Sequence, residues 1–331
     1  MGIKICGVGA FSPERAVRNA DFESIMDTSD EWISTRTGIH TRRYSQGEST
    51  FELGAKSATE ALRDAGIEAS QVGLIIATTI TGDFFCPSLA CMVQREIGAQ
   101  NAAAFDVNAA CSGFIYALDT ARRFLETDKN LEYVLVTASD RLSAIVDFND
   151  RATAILFGDG SASVVVTRGE SASDIYGSFL GADGTGASSL YGKHCYEDHP
   201  FGEQNHTWES EFPGKYEKII QDGKEVYKFA VRVLPIATEK AVTAAGLTLS
   251  DIDFFIPHQA NLRIIQAAAK SMDIPLERFY VNIENHGNTS GVTIPLALYE
   301  GVKSGAIKRG DKICLVGFGA GLTYGSIVFE F

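Results

Sequence analysis

The stretch NAACSGF at residues 108–114 places Cys111 between small residues, where a polar pattern gives way to an apolar helical one. A thiol at the start of a helix lies near unpaired backbone N–H groups and the positive end of the helix dipole, and both favour the thiolate. Cys111 is therefore a candidate nucleophile, expected to be held toward its thiolate form. The same stretch also fits a small cysteine buried in the core without a chemical role.

Two polar side chains elsewhere could assist a thiol. His258, in FFIPHQAN at residues 254–261, follows an apolar strand and precedes a helical segment, and active sites of parallel α/β folds collect at such strand ends. Asn288 lies in NHGNTSGVTIPLAL at residues 285–298, directly before a second apolar helix. Each has a structural alternative, because a histidine can serve as a buried hydrogen-bonding group and Asn, Thr and Ser all cap helices.

A glycine-rich stretch, GFGAGLTYG at residues 317–325, offers successive backbone N–H groups of the kind that an oxyanion site requires. Neither this stretch nor FGDGSAS at residues 157–163 matches G-x-G-x-x-G or the P-loop. The sequence therefore disfavours a nucleotide cofactor.

An internal repeat relates these segments to one another. Residues 65–76 and 245–256 share Ala-Gly, a polar turn and a short apolar strand, at an offset of 180. Ser-Gly then opens an apolar helix at residue 112 and again at residue 290, so the segments around Cys111 and Asn288 correspond.

From this repeat we predict an α/β protein of two related halves. Residues 1–170 would carry the cysteine, and residues 171–331 would carry His258, Asn288 and the glycine-rich turn. Strands that alternate with helices predict mostly parallel sheets, packed here around shared buried helices.

Composition and charge exclude several classes of protein function. The formal net charge is −13, and no block of Lys or Arg offsets it, which argues against binding to nucleic acid or to an anionic membrane. The six cysteines are scattered without a CxxC pair or zinc spacing, so we expect a reduced thiol protein of the cytoplasm. We expect no signal peptide, and the longest charge-free run, residues 313–329, is too short and too glycine-rich to span a bilayer.

Residues 184–228 break the repeat and are polar, glycine-rich and aromatic, which predicts a long excursion over the surface. The segment holds His194, Cys195, His199 and His206, but their spacings match no standard metal motif. We expect a lid or a subunit contact there, and no metal site.

Seven motifs, taken in order along the chain, resemble those of β-ketoacyl-acyl carrier protein synthase III, a family with the thiolase fold. They are DTSDEWISTRTGI (27–39), NAACSGF (108–114), DRATAILFGDGSAS (150–163), EVYKFAVR (225–232), PHQANLRII (257–265), HGNTSGVTIPLAL (286–298) and GFGAGLTYG (317–325). The resemblance runs from end to end, apart from residues 184–216. It implies a five-layered αβαβα arrangement of the two halves and a homodimer.

The resemblance also implies the catalytic groups. These are a triad of Cys111, His258 and Asn288, together with the backbone N–H groups of Cys111 and Ala320 for the oxyanion. Ala320 replaces a glycine found in some family members, which is harmless where only the N–H acts.

The substrate contacts implied by the resemblance lie outside the triad. Trp32, Arg36 and Arg151 would hold the coenzyme A end, and Asn261 would border the site. Arg263 would help to dock the acyl carrier protein, with Lys270, Lys215 and Lys218 as further candidate cations. A half-buried surface aromatic and solvated charges are the plain alternatives for Trp32 and for the arginines.

The loop that holds Phe85 and Cys86 resembles one that, in the family, reaches across the dimer into the partner's acyl pocket. A bulky residue is often expected before the proline of this loop, and Cys86 stands there instead. The smaller side chain suggests a roomier pocket.

The implied reaction is a decarboxylating Claisen condensation of an acyl-CoA with malonyl-acyl carrier protein, through an acyl-Cys111 intermediate and without a metal or redox cofactor. Three alternatives stay open. The fold could serve acyl transfer or condensation in specialised metabolism, or a degenerate subunit without turnover. A papain-like hydrolase shares the order Cys, His, Asn but requires a C-G-[SA]-C-[WY] signature that this chain lacks.

Overall fold

The computed structural model describes residues 2–169, 175–195, 201 and 207–331. The strands of these residues are β1 (Ile3–Phe11), β2 (Arg15–Arg18), β3 (Thr41–Tyr44), β4 (Val72–Thr78), β5 (Ala103–Asp106), β6 (Tyr133–Arg141), β7 (Asp159–Arg168), β8 (Tyr176–Ala182), β9 (Leu190–Gly192), β10 (Ile219–Gln221), β11 (Phe254–Pro257), β12 (Lys312–Gly319) and β13 (Thr323–Glu330). The α-helices are α1 (Asn19–Phe22), α2 (Asp30–Thr37), α3 (Thr50–Ala65), α4 (Leu89–Ile97), α5 (Gly113–Thr127), α6 (Arg151–Ala154), α7 (Gly223–Ala244), α8 (Leu262–Ser271), α9 (Ile283–His286) and α10 (Thr293–Lys303).

Two sheets form the body of the molecule, in the orders β1-β7-β6-β4-β5 and β11-β12-β13-β8. Pairing is parallel between β4 and its neighbours β5 and β6, and between β11 and β12. The other pairs are antiparallel, so the prediction of mostly parallel sheets is wrong. One physical reason is visible at residues 320–322, because a turn this short between β12 and β13 leaves no room for the crossover that parallel strands need.

The helices and sheets stack in five layers. Helix α3, with α4 beside it, covers the outer face of the first sheet, and α7, with α8 beside it, covers the second. Helices α5 and α10 lie between the sheets and contact strands of both. The largely apolar sequence of α10 and the apolar first half of α5 require burial on most sides. The predicted αβαβα fold is thereby confirmed.

The two copies of the repeat end their helices in the same way, at the Ala-Gly pairs found in the sequence. Helix α3 ends before Gly66, which has φ 69°, and α7 ends shortly before Gly246, which has φ 72°. Glycine suits both positions because a left-handed backbone closes each helix. All strands of the first sheet lie before residue 170 and all strands of the second lie after it. This sorting supports the division at residue 170, which we retain as a proposal.

The predicted surface excursion needs a correction. Within residues 184–228, β9 and β10 pair as an antiparallel ribbon, and the last residues already belong to α7. Leu190 and Ile219 of this ribbon are buried against the body of the molecule. Among the helices described, we find none whose length and apolar content would let it cross a membrane.

Candidate active site

Two strained turns meet between the halves. Ala110 has φ 48° and opens a 3₁₀ turn directly before α5, and Ser290 has φ 57° and opens the equivalent turn before α10. The two turns contact each other. A left-handed conformation costs a non-glycine residue roughly 1–2 kcal/mol, and such strain collects at functional sites. The repeat therefore does bring the two helix starts together.

Cys111 follows the first of these strained residues and is buried, with 6% of its surface exposed. Burial raises the pKa of the Cys111 thiol to about 12, and the nearby Asp140 carboxylate acts in the same direction. The expected thiolate is therefore corrected: the sulfur lies at a helix start, but the dry surroundings outweigh the helix dipole. Cys111 is therefore a neutral thiol at ordinary pH, and it would have to lose its proton in order to act as a nucleophile.

His258 follows β11, as predicted, and its backbone N–H donates to the Val316 carbonyl at 2.8 Å. Its Nδ1 lies 2.6 Å from Thr293 Oγ1, and its ring packs edge-on against Phe318 with the centroids 5.2 Å apart. Burial lowers the pKa of His258 to about 3, so the imidazole is neutral at ordinary pH. Because Nδ1 is engaged, Nε2 is the nitrogen left for chemistry.

Asn288 is fixed by three hydrogen bonds. Its N–H donates to the Leu156 carbonyl at 2.8 Å, and its carbonyl accepts from the Gly158 N–H at 3.0 Å. Its Oδ1 accepts from the Ser290 N–H at 2.8 Å. With the carboxamide oxygen held in this way, Nδ2 is the end that can donate to a ligand.

One cavity of about 260 Å³ is lined by Cys111, His258 and Asn288 together. The structure thus brings the three predicted side chains to the same space, although they lie in separate segments of the chain. A neutral thiol, an imidazole and an amide donor can take up a proton, form a covalent adduct and hold a developing negative charge.

The mouth of this cavity is cationic and aromatic. The guanidinium groups of Arg36 and Arg151 lie over the Trp32 indole, at 4.5 and 4.4 Å from its centroid. Asn261 also lines the cavity, and it caps α8 by accepting from the Arg263 N–H at 2.9 Å while donating to the Arg36 carbonyl at 3.0 Å. Arg36 and Arg151 are exposed, so the entrance suits an anionic group, whereas Arg263 is an exposed residue of α8 that does not line the cavity.

A second cavity, of about 460 Å³, adjoins the first at the nucleophile. Cys111, Leu190 and Ile219 line both, and the rest of the second wall is largely apolar. The sulfur therefore lies between a space with a polar mouth and a space suited to an acyl chain.

The predicted glycine-rich turn lies at this junction. Ala320 lines the second cavity, and Gly319 packs so closely that a Cβ added there would lie 2.6 Å from the Cys111 nitrogen. This contact brings the end of β12 against the turn of Cys111, so the N–H groups of Cys111 and Ala320, predicted to hold an oxyanion, lie in neighbouring turns.

The loop with Phe85 and Cys86 lies outside both cavities of its own chain. Phe85 is 75% exposed, and its ring lies 5.3 Å from that of His194, which does line the second cavity. Cys86 is exposed beside it.

The structure also describes part of the segment that breaks the repeat. Among the residues that the structure describes, no group of three or more His, Cys, Asp or Glu could hold a metal, and His199 and His206 lie outside those residues. Lys215 is paired with Asp147, and the Lys218 ammonium donates to the Val146 carbonyl at 3.0 Å, so these two cations are engaged locally.

Sequence reasoning missed four residues of the site. Phe318 could have been found, because it matches Phe157 in the repeat. Thr293 was hidden in an apolar helix. Leu190 and Ile219 carried no signal, since they lie in the segment that breaks the repeat.

Comparison with known proteins assigns the family. The protein-family model described as "3-Oxoacyl-[acyl-carrier-protein (ACP)] synthase III" matches residues 105–184. The family model of the C-terminal part of the same enzyme matches residues 242–331. A beta-ketoacyl-[acyl-carrier-protein] synthase III of Clostridium acetobutylicum is 46% identical over 328 residues, which cover 99% of this chain and 98% of the relative.

Solved structures of 3-oxoacyl-[acyl-carrier-protein] synthase III agree. The enzyme of Aquifex aeolicus superposes with a TM-score of 0.91 at 41% identity and full coverage of both chains. That of Thermus thermophilus gives 0.90 at 43% identity, covering 100% of this chain and 99% of the other. The chain belongs to the β-ketoacyl-[acyl-carrier-protein] synthase III family.

Proposed function

We propose that this chain condenses an acyl-CoA primer with malonyl-acyl carrier protein, giving a 3-oxoacyl-acyl carrier protein, CoA and CO₂, and so starts fatty acid biosynthesis. Membership of the family supports the reaction. The observation that carries the residue roles is the single cavity lined by Cys111, His258 and Asn288.

In the first half-reaction the Cys111 sulfur attacks the thioester carbonyl of acyl-CoA. Because burial keeps the thiol protonated, its proton moves to Nε2 of His258 as the carbon–sulfur bond forms, and is then passed to the departing CoA sulfur. The backbone N–H groups of Cys111 and Ala320 hold the oxyanion. An acyl-Cys111 thioester remains.

The mouth of the cavity supports the proposed contacts with CoA. Arg36 and Arg151 supply positive charge for phosphate groups, and the Trp32 indole supplies a flat surface for a base. Asn261 fixes the position of α8 against α2, and so keeps the rim in place.

In the second half-reaction the malonyl thioester loses CO₂, and the electron pair of the broken bond forms an enolate. Nε2–H of His258 and Nδ2 of Asn288 donate to its oxygen. The enolate carbon attacks acyl-Cys111, the sulfur leaves, and one proton from water restores the thiol.

The carrier protein is proposed to dock on α8, which presents Arg263 and Lys270 as exposed cations. An overall charge of −13 repels an acidic partner, so local positive charge must orient it.

We also infer that the protein is a homodimer and that it works in the cytoplasm. Strand β5 is an edge of the first sheet, and two copies joined along β5 would continue that sheet and cover this edge. The large exposed fraction of Phe85 fits a partner surface. The thioester substrates and the free cysteines among the described residues fit a reducing compartment.

The test is stepwise. The protein is incubated with a panel of acyl-CoAs, and peptide mass spectrometry locates the acyl group. Malonyl-acyl carrier protein is then added, and the mass of the product is measured by mass spectrometry. We expect acylation on Cys111, none with Cys111→Ala, and a 3-oxoacyl product with two more carbons. Acylation elsewhere, or a transferred acyl group without chain extension, would reject the proposal and favour another acyl transfer.

A further inference from the structure

A buried hydroxyl that the proposed mechanism does not use lies behind His258. Thr293 on α10 is 2% exposed. Its Oγ1 lies 2.6 Å from Nδ1 of His258 and 3.1 Å from the carbonyl oxygen of Ser290, which accepts a hydrogen bond from it. The hydroxyl thus has two partners but a single proton to donate.

Two arrangements of that proton are possible, and each fixes one tautomer of a neutral imidazole. When Thr293 donates to the Ser290 carbonyl, it accepts from Nδ1–H, and Nε2 bears a lone pair. When Thr293 donates to Nδ1, the ring proton lies on Nε2. The net charge is the same in both. In passing from the first arrangement to the second, Nε2 takes a proton from water that enters the cavity between the half-reactions, and the ring returns its Nδ1 proton to the solvent.

Each arrangement fits one half of the proposed reaction. Accepting the proton of Cys111 requires a lone pair on Nε2, whereas stabilising the enolate requires a proton on Nε2. A carboxylate at position 293 would instead favour the imidazolium, and a carbonyl would lock the proton on Nδ1. A hydroxyl is the small group that can partner both tautomers.

We propose that Thr293 is the positioning residue that lets a neutral His258 act first as proton acceptor and then as hydrogen-bond donor. The inference rests on the proposed role of His258. Thr293 lines neither of the two cavities at Cys111, and we propose that it acts only through the ring.

The test replaces the hydroxyl and measures the half-reactions separately. Thr293→Val keeps the shape and removes both hydrogen bonds, and Thr293→Ser is the matched control that keeps them. Acylation of Cys111 is followed by mass spectrometry, and decarboxylation by CO₂ release from malonyl-acyl carrier protein. We expect the valine variant to slow both by about 10- to 100-fold, and the serine variant to stay within about threefold of the native rates.

A spectroscopic readout separates positioning from mere packing. In ¹⁵N-histidine-labelled protein, with His258→Ala to identify the resonances, the Nδ1 and Nε2 signals of His258 should change in the valine variant and stay native in the serine variant. If the valine variant does not fold, Thr293→Ala carries the same expectation.

The outcomes are distinguishable from a failure of the proposed function. Native rates and unchanged ¹⁵N signals in Thr293→Val would overturn the inference, as would a serine variant as slow as the valine one. If His258→Ala itself left both half-reactions intact, the proposed role of His258 would fail instead.

Discussion

Gly319→Ala is the substitution that most directly probes the junction of β12 with the nucleophile. A Cβ at this position would lie 2.6 Å from the Cys111 nitrogen, 3.0 Å from the Ser112 nitrogen and 3.2 Å from the Ala109 oxygen. All three are backbone atoms of the turn that carries the nucleophile, and no side chain can rotate to make room. Since ordinary contacts begin near 3.4 Å, the strand and the turn must move apart by about 0.8 Å.

The expected cost follows from that displacement. Overpacking of this kind destabilises a protein by about 1–3 kcal/mol. A shift of nearly 1 Å in the Cys111 amide also moves an oxyanion donor out of position, which should slow acylation by about 100-fold. We therefore expect a folded protein with a lower free energy of unfolding and a severe loss of Cys111 acylation.

The assay is single-turnover acylation by acyl-CoA, followed by intact mass, with urea unfolding measured in parallel. Gly160→Ala is the matched control, because Gly160 lies in the glycine-rich stretch of the first half and an added Cβ would find its nearest neighbour at 3.5 Å. We expect the control to acylate within about threefold of the native rate. Acylation at a near-native rate in Gly319→Ala would refute the placement of the oxyanion donors.

Three further results are expected. Alkylation of Cys111 by iodoacetamide, resolved by peptide, should rise about tenfold per pH unit from pH 7 to 9, because the thiol pKa is raised to about 12; a plateau in that range would contradict the neutral thiol. Below pH 6.5 the unfolded chain binds a proton that buried His258 does not, so stability should fall by about 2 kcal/mol from pH 7 to 5, and His258→Gln should remove that part of the slope in urea titrations. Arg263→Glu should raise KM for malonyl-acyl carrier protein far more than for acyl-CoA, and equal effects on both would reject the docking role.

Much of the fold and the candidate site follows from local signals in the sequence. The helix ends at Gly66 and Gly246 are set by a left-handed residue, and the repeat of Ser-Gly helix starts placed Cys111 opposite the segment of Asn288. His258 was located by the rule that polar groups follow buried strands. The helix ends and the position of His258 depend on interactions within a few residues along the chain, whereas the meeting of the two helix starts was found by comparing segments 178 residues apart.

What escaped prediction depends on contacts between distant segments. The dipole at a helix start is a local property and favours a thiolate, but the burial that reverses it involves the turn at Ser290 and the end of β12, which contact the turn of Cys111 from far along the chain. The same holds for Thr293, whose role becomes visible only when α10 lies against the end of β11. Neither burial nor this contact has a signature at residue 111 or 258.

Burial changes what the pair at the centre of the site can do. It raises the pKa of Cys111 and lowers that of His258, so the two values move apart and a resting thiolate–imidazolium pair is disfavoured. In the proposed reaction the sulfur is therefore a poor nucleophile until a thioester carbonyl lies beside the N–H groups of Cys111 and Ala320, where the charge that develops on oxygen would be stabilised in dry surroundings. Low polarity disfavours proton transfer from Cys111 to His258 before the substrate binds. The same low polarity strengthens the hydrogen bonds to the oxyanion once the substrate is bound. In the proposed mechanism, proton transfer to His258 and bond formation at the thioester are thus coupled, and we expect Cys111 to react faster with an acyl thioester that its cavities hold than with a small electrophile.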